Sequence, residues 1–256
     1  MTVFKKSINI PTTVSTVASV ASLANGALPQ IGNYNSYVLN GPLVSPNGQV
    51  SFISMGYSSN ISITSAANNT AFSYIISGFS NGVVVSETIV GPNNNTVFTN
   101  TLFDIVTSVI STTGGALGQA ITIGSGSYIA IVLQNANNLA DNGQPNTVYN
   151  VFVNAVGAGG AGGAGWAAGQ LNIYGVGGKG VIGPLTNTSL TYATRNNNYI
   201  PIPTTGAAQA AYTAAQLSNG FNVKTESPFG AVIVYLTTLV GVVPALVPVF
   251  IEVSQG

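Results

Sequence analysis

Short runs rich in Val, Ile, Thr, Tyr and Phe recur along the chain, and several of them alternate between apolar and polar residues. In FSYIISGF, Phe72, Tyr74 and Ile76 can face one way and the residues between them the other. A period of two is that of a half-buried β-strand. The runs predicted as strands are QVSFISM, NISITSA, FSYIISGF, VVVSETIV, FDIVTSVI, AITIG, YIAIVLQ, VYNVFVNAV, QLNIYGV, SLTYAT, FNVKT, AVIVYLTTL and VPVFIEVSQ.

The dipeptide Asn-Gly separates many of these runs, and it is the strongest short signal for a β-hairpin. It occurs at Asn25-Gly26, Asn40-Gly41, Asn47-Gly48, Asn81-Gly82, Asn142-Gly143 and Asn219-Gly220. The pattern predicts an all-β protein, a β-sandwich or jelly roll, as one sandwich or two in tandem. Its one predicted helix is the Ala-rich stretch near Ala207–Leu217, which Gly220 follows.

The domain organisation follows from changes in pattern along the chain. Residues 1–37 are rich in Thr, Ser and Val with little periodicity, and we expect an extended N-terminal arm that a neighbouring subunit holds. Residues 38–156 form the predicted β-sandwich domain, and residues 157–256 a second β-rich domain or extension. The N-terminal stretch is too polar for the hydrophobic region of a signal peptide.

The segment Ala231–Val253 is apolar and long enough to span a bilayer. Thr237, Thr238, Pro244 and Pro248 interrupt it, and Val and Ile dominate its composition. These features favour two buried strands joined as a hairpin by a Gly/Pro turn over a membrane span.

Charge is scarce: 4% of the residues are charged, and five basic and five acidic side chains give a net charge of zero. An average soluble protein has about 25%. The charged residues are Lys5, Lys6, Lys179, Arg195 and Lys224, and Glu87, Asp104, Asp141, Glu226 and Glu252. Without a cluster of basic residues, we expect no nucleic-acid partner. A neutral surface of Asn, Ser, Thr and Gly suits contact with neighbouring subunits.

The stretch from Gly157 to Gly165 contains only Gly and Ala, and it includes the dinucleotide-binding spacing G-x-G-x-x-G. That fold needs a helix after the glycines and an acidic residue about 20 positions later. A strand pattern follows instead, and the next acid is Glu226. We therefore expect a surface loop without a cofactor. Trp166 after it is either a core anchor or an interface anchor.

The residues for catalysis and metal binding are few. The chain has no His and no Cys, which excludes a Ser-His-Asp triad, imidazole and thiolate metal sites and disulfides. Glu87 and Asp104 are the closest pair of carboxylates in sequence, and we expect each on a solvated face of its strand. Asp141-Asn142-Gly143 lacks the spaced oxygens of a calcium loop. We therefore predict that the protein is not an enzyme and that it has no catalytic residue, no cofactor and no metal.

One region resembles a known family. It contains a strand ending at Gly78, the turn Asn81-Gly82, Glu-Thr-hydrophobic-x-Gly-Pro at Glu87–Pro92, Phe103 before Val-Thr-Ser-hydrophobic at Val106–Val109, and a strand closing on Gly124. This order, within Asn40–Gly124, resembles a β-sandwich domain common in structural proteins of bacteriophages. The resemblance implies a virion component without catalytic residues, and the chain from Tyr149 onward shows no match to the family.

Together these features predict a bacteriophage virion structural protein, specifically a cement or decoration protein on the outer shell of an icosahedral head. A small major capsid protein with two jelly rolls and a receptor-binding spike or tail-fibre protein are alternatives. The spike hypothesis predicts a sugar-binding cluster of Tyr192, Tyr199 and Tyr212. A surface-layer protein or adhesin of a cell is a fourth hypothesis.

The expected partners are copies of the same chain, as a homotrimer by analogy with icosahedral shells, and other capsid proteins. A spike would also bind a host receptor. The candidate interface residues, all aromatic, are Trp166, Phe229, Tyr235 and Phe250.

Overall fold

A computed structural model describes residues 3–11, 19–22, 28–29, 34–37, 39, 44–112, 121–134, 149–155, 166–176, 183–187, 190, 199–202, 211–213, 221–224, 231–241 and 246–255. Strands dominate these residues, and the strand pairings described below are antiparallel. The predicted all-β class is confirmed, whereas jelly-roll connectivity stays a prediction. None of the described segments forms a helix long and apolar enough to cross a membrane.

The elements in chain order are β1 (Val3–Pro11), β2 (Ser19–Ser22), β3 (Leu28–Pro29), β4 (Tyr34–Ser36), β5 (Val50–Ser51), α1 (Phe52–Met55), β6 (Ser58–Thr64), β7 (Ser73–Ser80), β8 (Val83–Val90), β9 (Thr96–Phe98), β10 (Ile105–Thr112), β11 (Thr122–Gln134), β12 (Tyr149–Ala155), β13 (Trp166–Val176), β14 (Tyr199–Ile202), β15 (Ala211–Thr213), β16 (Phe221–Lys224), β17 (Ala231–Gly241) and β18 (Leu246–Gln255).

The chain divides into two compact units. The first unit comprises Val14–Gly126 and Gly183–Asn187, and the second comprises Met1–Thr13, Ser127–Ile182 and Thr188–Gly256. The sequence pattern placed the domain boundaries after residues 37 and 156, and the two units of the structure are divided at other residues.

The first unit contains a sheet with the strand order β3-β4-β10-β7-β8, and β5 pairs with β10. Strands β7 and β8 form a hairpin with a regular register from Ser73↔Val90 to Ser80↔Val83. Its two turn residues, Asn81 and Gly82, have φ values of 47° and 75°. Positive φ at both positions identifies a type I′ turn, which Asn-Gly favours, so the predicted hairpin is confirmed.

The core of the first unit comes from strand faces that the sequence pattern indicates. In β7 buried and half-buried residues alternate, with Tyr74 and Ile76 fully buried. Strand β6 differs, because its residues Ser58 to Ile63 are all buried. A strand covered on both faces needs partners for its polar side chains. The Ser125 carbonyl supplies one, since it accepts the Ser62 hydroxyl at 3.2 Å.

The predicted strand QVSFISM is wrong beyond its first residues. Strand β5 ends at Ser51, and the single turn of helix α1 follows. The N–H groups of Phe52 and Ile53 both donate to the Asp104 carbonyl, at 2.7 and 3.1 Å. Gly56 ends the turn with a φ of 92°, a conformation that glycine adopts without steric cost. Phe52 is fully buried, so tertiary packing overrides the local strand pattern.

The second unit contains a sheet with the order β1-β18-β12-β16. Strand β1 lies within the predicted arm and pairs with β18 of the same chain over nine positions, from Val3↔Ser254 to Pro11↔Leu246. In the unit's other strand group, β13 pairs with β14, β15 and β17, and β17 pairs with Ile129–Gln134 of β11.

The predicted C-terminal hairpin is wrong. Strand β17 pairs with β11 and β13, whereas β18 pairs with β1 and β12, so the two strands belong to different sheets. Each has a neighbour on both sides, and Ala231 to Leu236 are all buried. A central strand buried on both faces has the near-continuous apolar run that this segment shows.

The predicted helix near Ala207–Leu217 is also wrong at the three residues of this stretch that the structure describes. Ala211, Tyr212 and Thr213 form β15 and pair with Ala168–Gln170 of β13. Ladder hydrogen bonds and the strand preference of Tyr and Thr outweigh the helix propensity of the alanines. Of the predicted strand at residues 189–194, only Leu190 lies among the described residues.

Candidate functional site

The first unit contains only two charged side chains, Glu87 and Asp104, and no basic residue. Both carboxylates accept hydrogen bonds from their own unit. Asp104 is 5% exposed. Its Oδ1 accepts the Ser58 hydroxyl at 2.5 Å and its Oδ2 accepts the Gly82 N–H at 3.0 Å. The expectation that this acid lies on a solvated face is therefore wrong.

The main chain of Asp104 holds further segments. Its carbonyl caps α1, as described above, and its N–H donates to the Phe79 carbonyl at 2.8 Å. One residue thus connects α1, the start of β6, the end of β7 and the β7–β8 turn. Burial raises the pKa of the Asp104 carboxyl, and the hydrogen bonds from Ser58, Gly82 and Asn81 oppose that rise.

Glu87 lies in β8, half-buried, and it holds a loop. Its Oε1 accepts the Asn100 N–H at 2.8 Å, and its Oε2 accepts the Thr101 N–H at 2.7 Å. The same loop contacts the segment 183–187, since the Leu102 N–H donates to the Leu185 carbonyl at 2.9 Å. Hydrogen bonds of backbone N–H groups to a carboxylate are stronger than neutral ones, so Glu87 has a structural role.

Because both carboxylates are turned to the backbone, the broad sheet of the first unit presents a face without charge. We call the β8, β7 and β10 residues of this face the neutral face. Its members are exposed or half-buried, and the register places them in four cross-strand rows: Val84-Phe79-Ile105, Ser86-Ser77-Ser108, Thr88-Ile75-Ile110 and Val90-Ser73-Thr112.

Hydroxyl groups on the neutral face bond to one another and to the backbone beneath them. The Ser77 and Ser86 hydroxyl oxygens are 3.1 Å apart. The Thr112 hydroxyl accepts the Ser73 N–H at 3.1 Å and donates to the Ser73 carbonyl at 3.2 Å. Val84 is 76% exposed and Val90 60%. The face therefore offers aliphatic groups and neutral hydroxyls to whatever contacts it.

Two glycines, Gly78 and Gly91, permit close packing beneath this face. Both belong to the sequence motif that resembles the phage domain, which we call the phage-like motif. Strand β7 continues through Gly78 to Ser80, past the predicted end. A Cβ on Gly78 would lie 1.9 Å from the Ile105 carbonyl oxygen, and one on Gly91 would lie 2.2 Å from that of Asn69. No side chain fits at either distance, so both positions require glycine.

Three of the four candidate interface residues lie in strands of the second unit. Trp166 begins β13, and Phe250 lies in β18, opposite Ser7 and Asn154. Tyr235 is 1% exposed and stacks on Tyr128 with ring centroids 6.3 Å apart. It therefore packs within its own chain and offers no surface to a partner. Phe229 lies outside the described residues.

The register separates two tyrosines of the sugar-binding hypothesis. Tyr199 pairs with Val176 and Tyr212 with Gly169, at positions seven residues apart on β13. That corresponds to roughly 23 Å along a strand. Tyr192 lies outside the described residues, as do Asp141–Gly143 and the Gly/Ala stretch 157–165. In the ranges that the structure covers, no group of three or more His, Cys, Asp or Glu could hold a metal ion.

Sequence reasoning missed the role of Asp104, although a signal for it exists. The residue stands between Phe103 and Ile105 in a segment without any other charge. A lone acid in such surroundings is buried only when hydrogen-bond donors surround it. The donors, Ser58 and Gly82, lie 46 and 22 positions away in sequence, so the pattern does not name them.

Comparison with known proteins does not assign this chain to a family. No family model matches the chain, and no curated protein does. Among solved structures, the stem and receptor-binding domain of the spike protein P1 from bacteriophage PM2 aligns with 100% of this chain and 97% of that chain, at 8% identity and a TM-score of 0.17. A likeness of that size carries no argument about fold or function.

Proposed function

We propose that the protein is a structural component of a bacteriophage virion, specifically a cement or decoration protein on the outer shell of an icosahedral head. The placement of charge carries this proposal. The first unit has two carboxylates, and both bind backbone N–H groups of their own unit. A unit without free charge has little to keep its copies apart in solution.

The neutral face suits permanent contact with a neighbouring subunit. Its valines, isoleucines and phenylalanine supply apolar area, and its hydroxyl groups can exchange partners without leaving a buried charge. Interfaces that form once and persist are more apolar than transient ones. The phage-like motif supports the same proposal, because Gly78, Gly91 and Glu87 all have roles in this sandwich unit.

We also propose that the protein is not an enzyme. The closest pair of carboxylates in sequence, Glu87 and Asp104, is engaged in holding loops and turns. General acid–base chemistry needs a group that can reach a substrate proton, and the Asp104 carboxylate is buried against Ser58 and Gly82.

Copy number per particle tests the proposal. We expect quantitative mass spectrometry of purified virions to find this chain in numbers comparable to the major capsid protein. Mild chaotrope should release it from heads that stay closed. A few copies per particle would favour the spike or fibre alternative, and heads that cannot form without it would favour the major capsid alternative. Absence from virions would refute the proposal.

A further inference from the structure

Strand β8 is an edge strand, with hydrogen-bonding groups directed away from the sheet. The two-residue turn makes Ser80 and Val83 a hydrogen-bonded pair, and such pairs alternate along an antiparallel ladder. The Gly91 N–H, which donates to the Phe72 carbonyl at 2.9 Å, continues this alternation. The N–H and C=O groups of Val84, Ser86, Thr88 and Val90 therefore face the open edge.

In the part of the chain that the structure describes, this edge lacks the features that usually protect one. Native proteins block edge strands with outward charges, prolines, bulges or a covering segment. The β7–β8 register has no bulge, and the single charged residue of β8, Glu87, binds the Asn100 and Thr101 N–H groups. Within the described ranges, no second strand pairs with β8, and Val84 and Val90 are largely exposed.

We propose that β8 pairs antiparallel with β8 of a second copy of this chain, about a two-fold axis at Ser86. The pairing goes beyond the virion assignment and does not depend on it, because it is a property of the isolated protein. Val84 would lie opposite Thr88 of the second copy, and Ser86 opposite Ser86. About six backbone hydrogen bonds would form.

The chemistry of the strand favours a second copy and this register. Directly opposed residues of an antiparallel pair share a face, so the even-numbered residues of both copies meet and the neutral face continues across the contact. An axis at Glu87 would instead bring two glutamates opposite each other, which is unfavourable. An axis at Ser86 places Glu87 opposite Val85. No charge of either β8 then faces a like charge.

Sedimentation of the purified full-length chain tests the pairing. We expect a dimer whose dissociation constant rises by about tenfold or more in Ser86→Pro, because the substitution removes backbone hydrogen bonds at the axis. The Ser86 N–H faces the open edge, so proline there leaves the β7–β8 ladder intact. In Val84→Lys, charge at the edge should weaken the dimer similarly.

The control is Ile53→Lys, the same kind of change at an apolar residue on α1 that is 57% exposed. It should leave the dissociation constant unchanged. Circular dichroism and the thermal midpoint verify that each variant folds. If Val84→Lys and Ile53→Lys associate alike, or the unmodified protein stays monomeric at its highest soluble concentration, the proposal is wrong.

Crosslinking tests the register, since the chain has no cysteine of its own. The two Ser86 Cα atoms would be about 5.5 Å apart, so Ser86→Cys should couple to itself through a short bifunctional maleimide. Val90→Cys, on the same strand and also exposed, would be roughly 27 Å from its copy and should not couple. Equal coupling of both variants, or coupling of Val90→Cys alone, would overturn the proposed register.

Discussion

The two units of this protein share a strand-rich architecture and differ in their use of charge. The second unit carries eight of the ten charged residues, including all five basic ones, whereas the first carries only Glu87 and Asp104. In the first unit both charges hold backbone segments in place. The average of 4% charged residues over the whole chain therefore does not show that both charged side chains of the first unit are engaged in hydrogen bonds within that unit.

The largest expected effect comes from adding a Cβ atom at Gly78. In Gly78→Ala the new Cβ would meet the backbone of Ile105, which cannot rotate away. We expect a loss of more than about 3 kcal/mol in unfolding free energy, or no folding. Gly183→Ala is the matched control in the same unit, because a Cβ there meets nothing within 4 Å. Equal urea midpoints for the two variants would contradict the close packing.

Removing the buried carboxylate comes next. Asp104→Ala leaves the Ser58 hydroxyl and the Gly82 N–H without their acceptor, and we expect a loss of about 2–4 kcal/mol in urea unfolding. Asp104→Asn keeps one oxygen acceptor and should lose less. If alanine and asparagine cost the same, the hydrogen bonds of the carboxylate do not stabilise the first unit.

A smaller effect is expected at Glu87. Glu87→Gln replaces one of two acceptors by an amide that cannot accept the N–H facing it. We expect a loss of about 1 kcal/mol and faster amide exchange at Asn100 and Thr101. Thr88→Ser, an exposed change on the same strand, should alter neither. Unchanged exchange in Glu87→Gln would show that the carboxylate does not hold this loop.

The smallest effect is a change with pH, and its sign is fixed by the raised pKa of Asp104. As pH rises through the ordinary value of 3.8, the unfolded chain ionises first, so this group's contribution to stability falls until the folded pKa is passed. Asparagine does not titrate. As pH rises above this ordinary value, Asp104→Asn should therefore gain stability relative to the unmodified protein, and the gain should level off above the raised pKa of the folded state. A relative loss in that window would contradict the burial effect.

The sequence predicts strands well where a local pattern decides. The alternation in β7 and the Asn81-Gly82 turn are local, and the structure has both. It predicts poorly where distant residues decide. Phe52 begins helix α1 instead of continuing the strand, because its side chain is buried and its N–H donates to the Asp104 carbonyl. Strands β17 and β18 do not pair with each other, because each pairs with two other strands.

The candidate site was predictable only in part. Scarce charge and the phage-like motif point to a neutral structural protein. They do not reveal that Glu87 and Asp104 accept hydrogen bonds from backbone N–H groups and from the Ser58 hydroxyl, because these donors lie 13 to 46 positions away in sequence. The open edge of β8 depends on strand order in the sheet, which a run of valines and threonines does not specify.

The pairing of β1 with β18 has a consequence for biosynthesis. A ribosome makes Val3–Pro11 well before its partner Leu246–Gln255. At about 5–20 residues per second, the nascent N-terminal strand waits more than ten seconds for that partner. Only a chain translated through Leu246–Gln255 can complete this sheet, so translation products that stop before β18 should leave β1 open to chaperones and proteases.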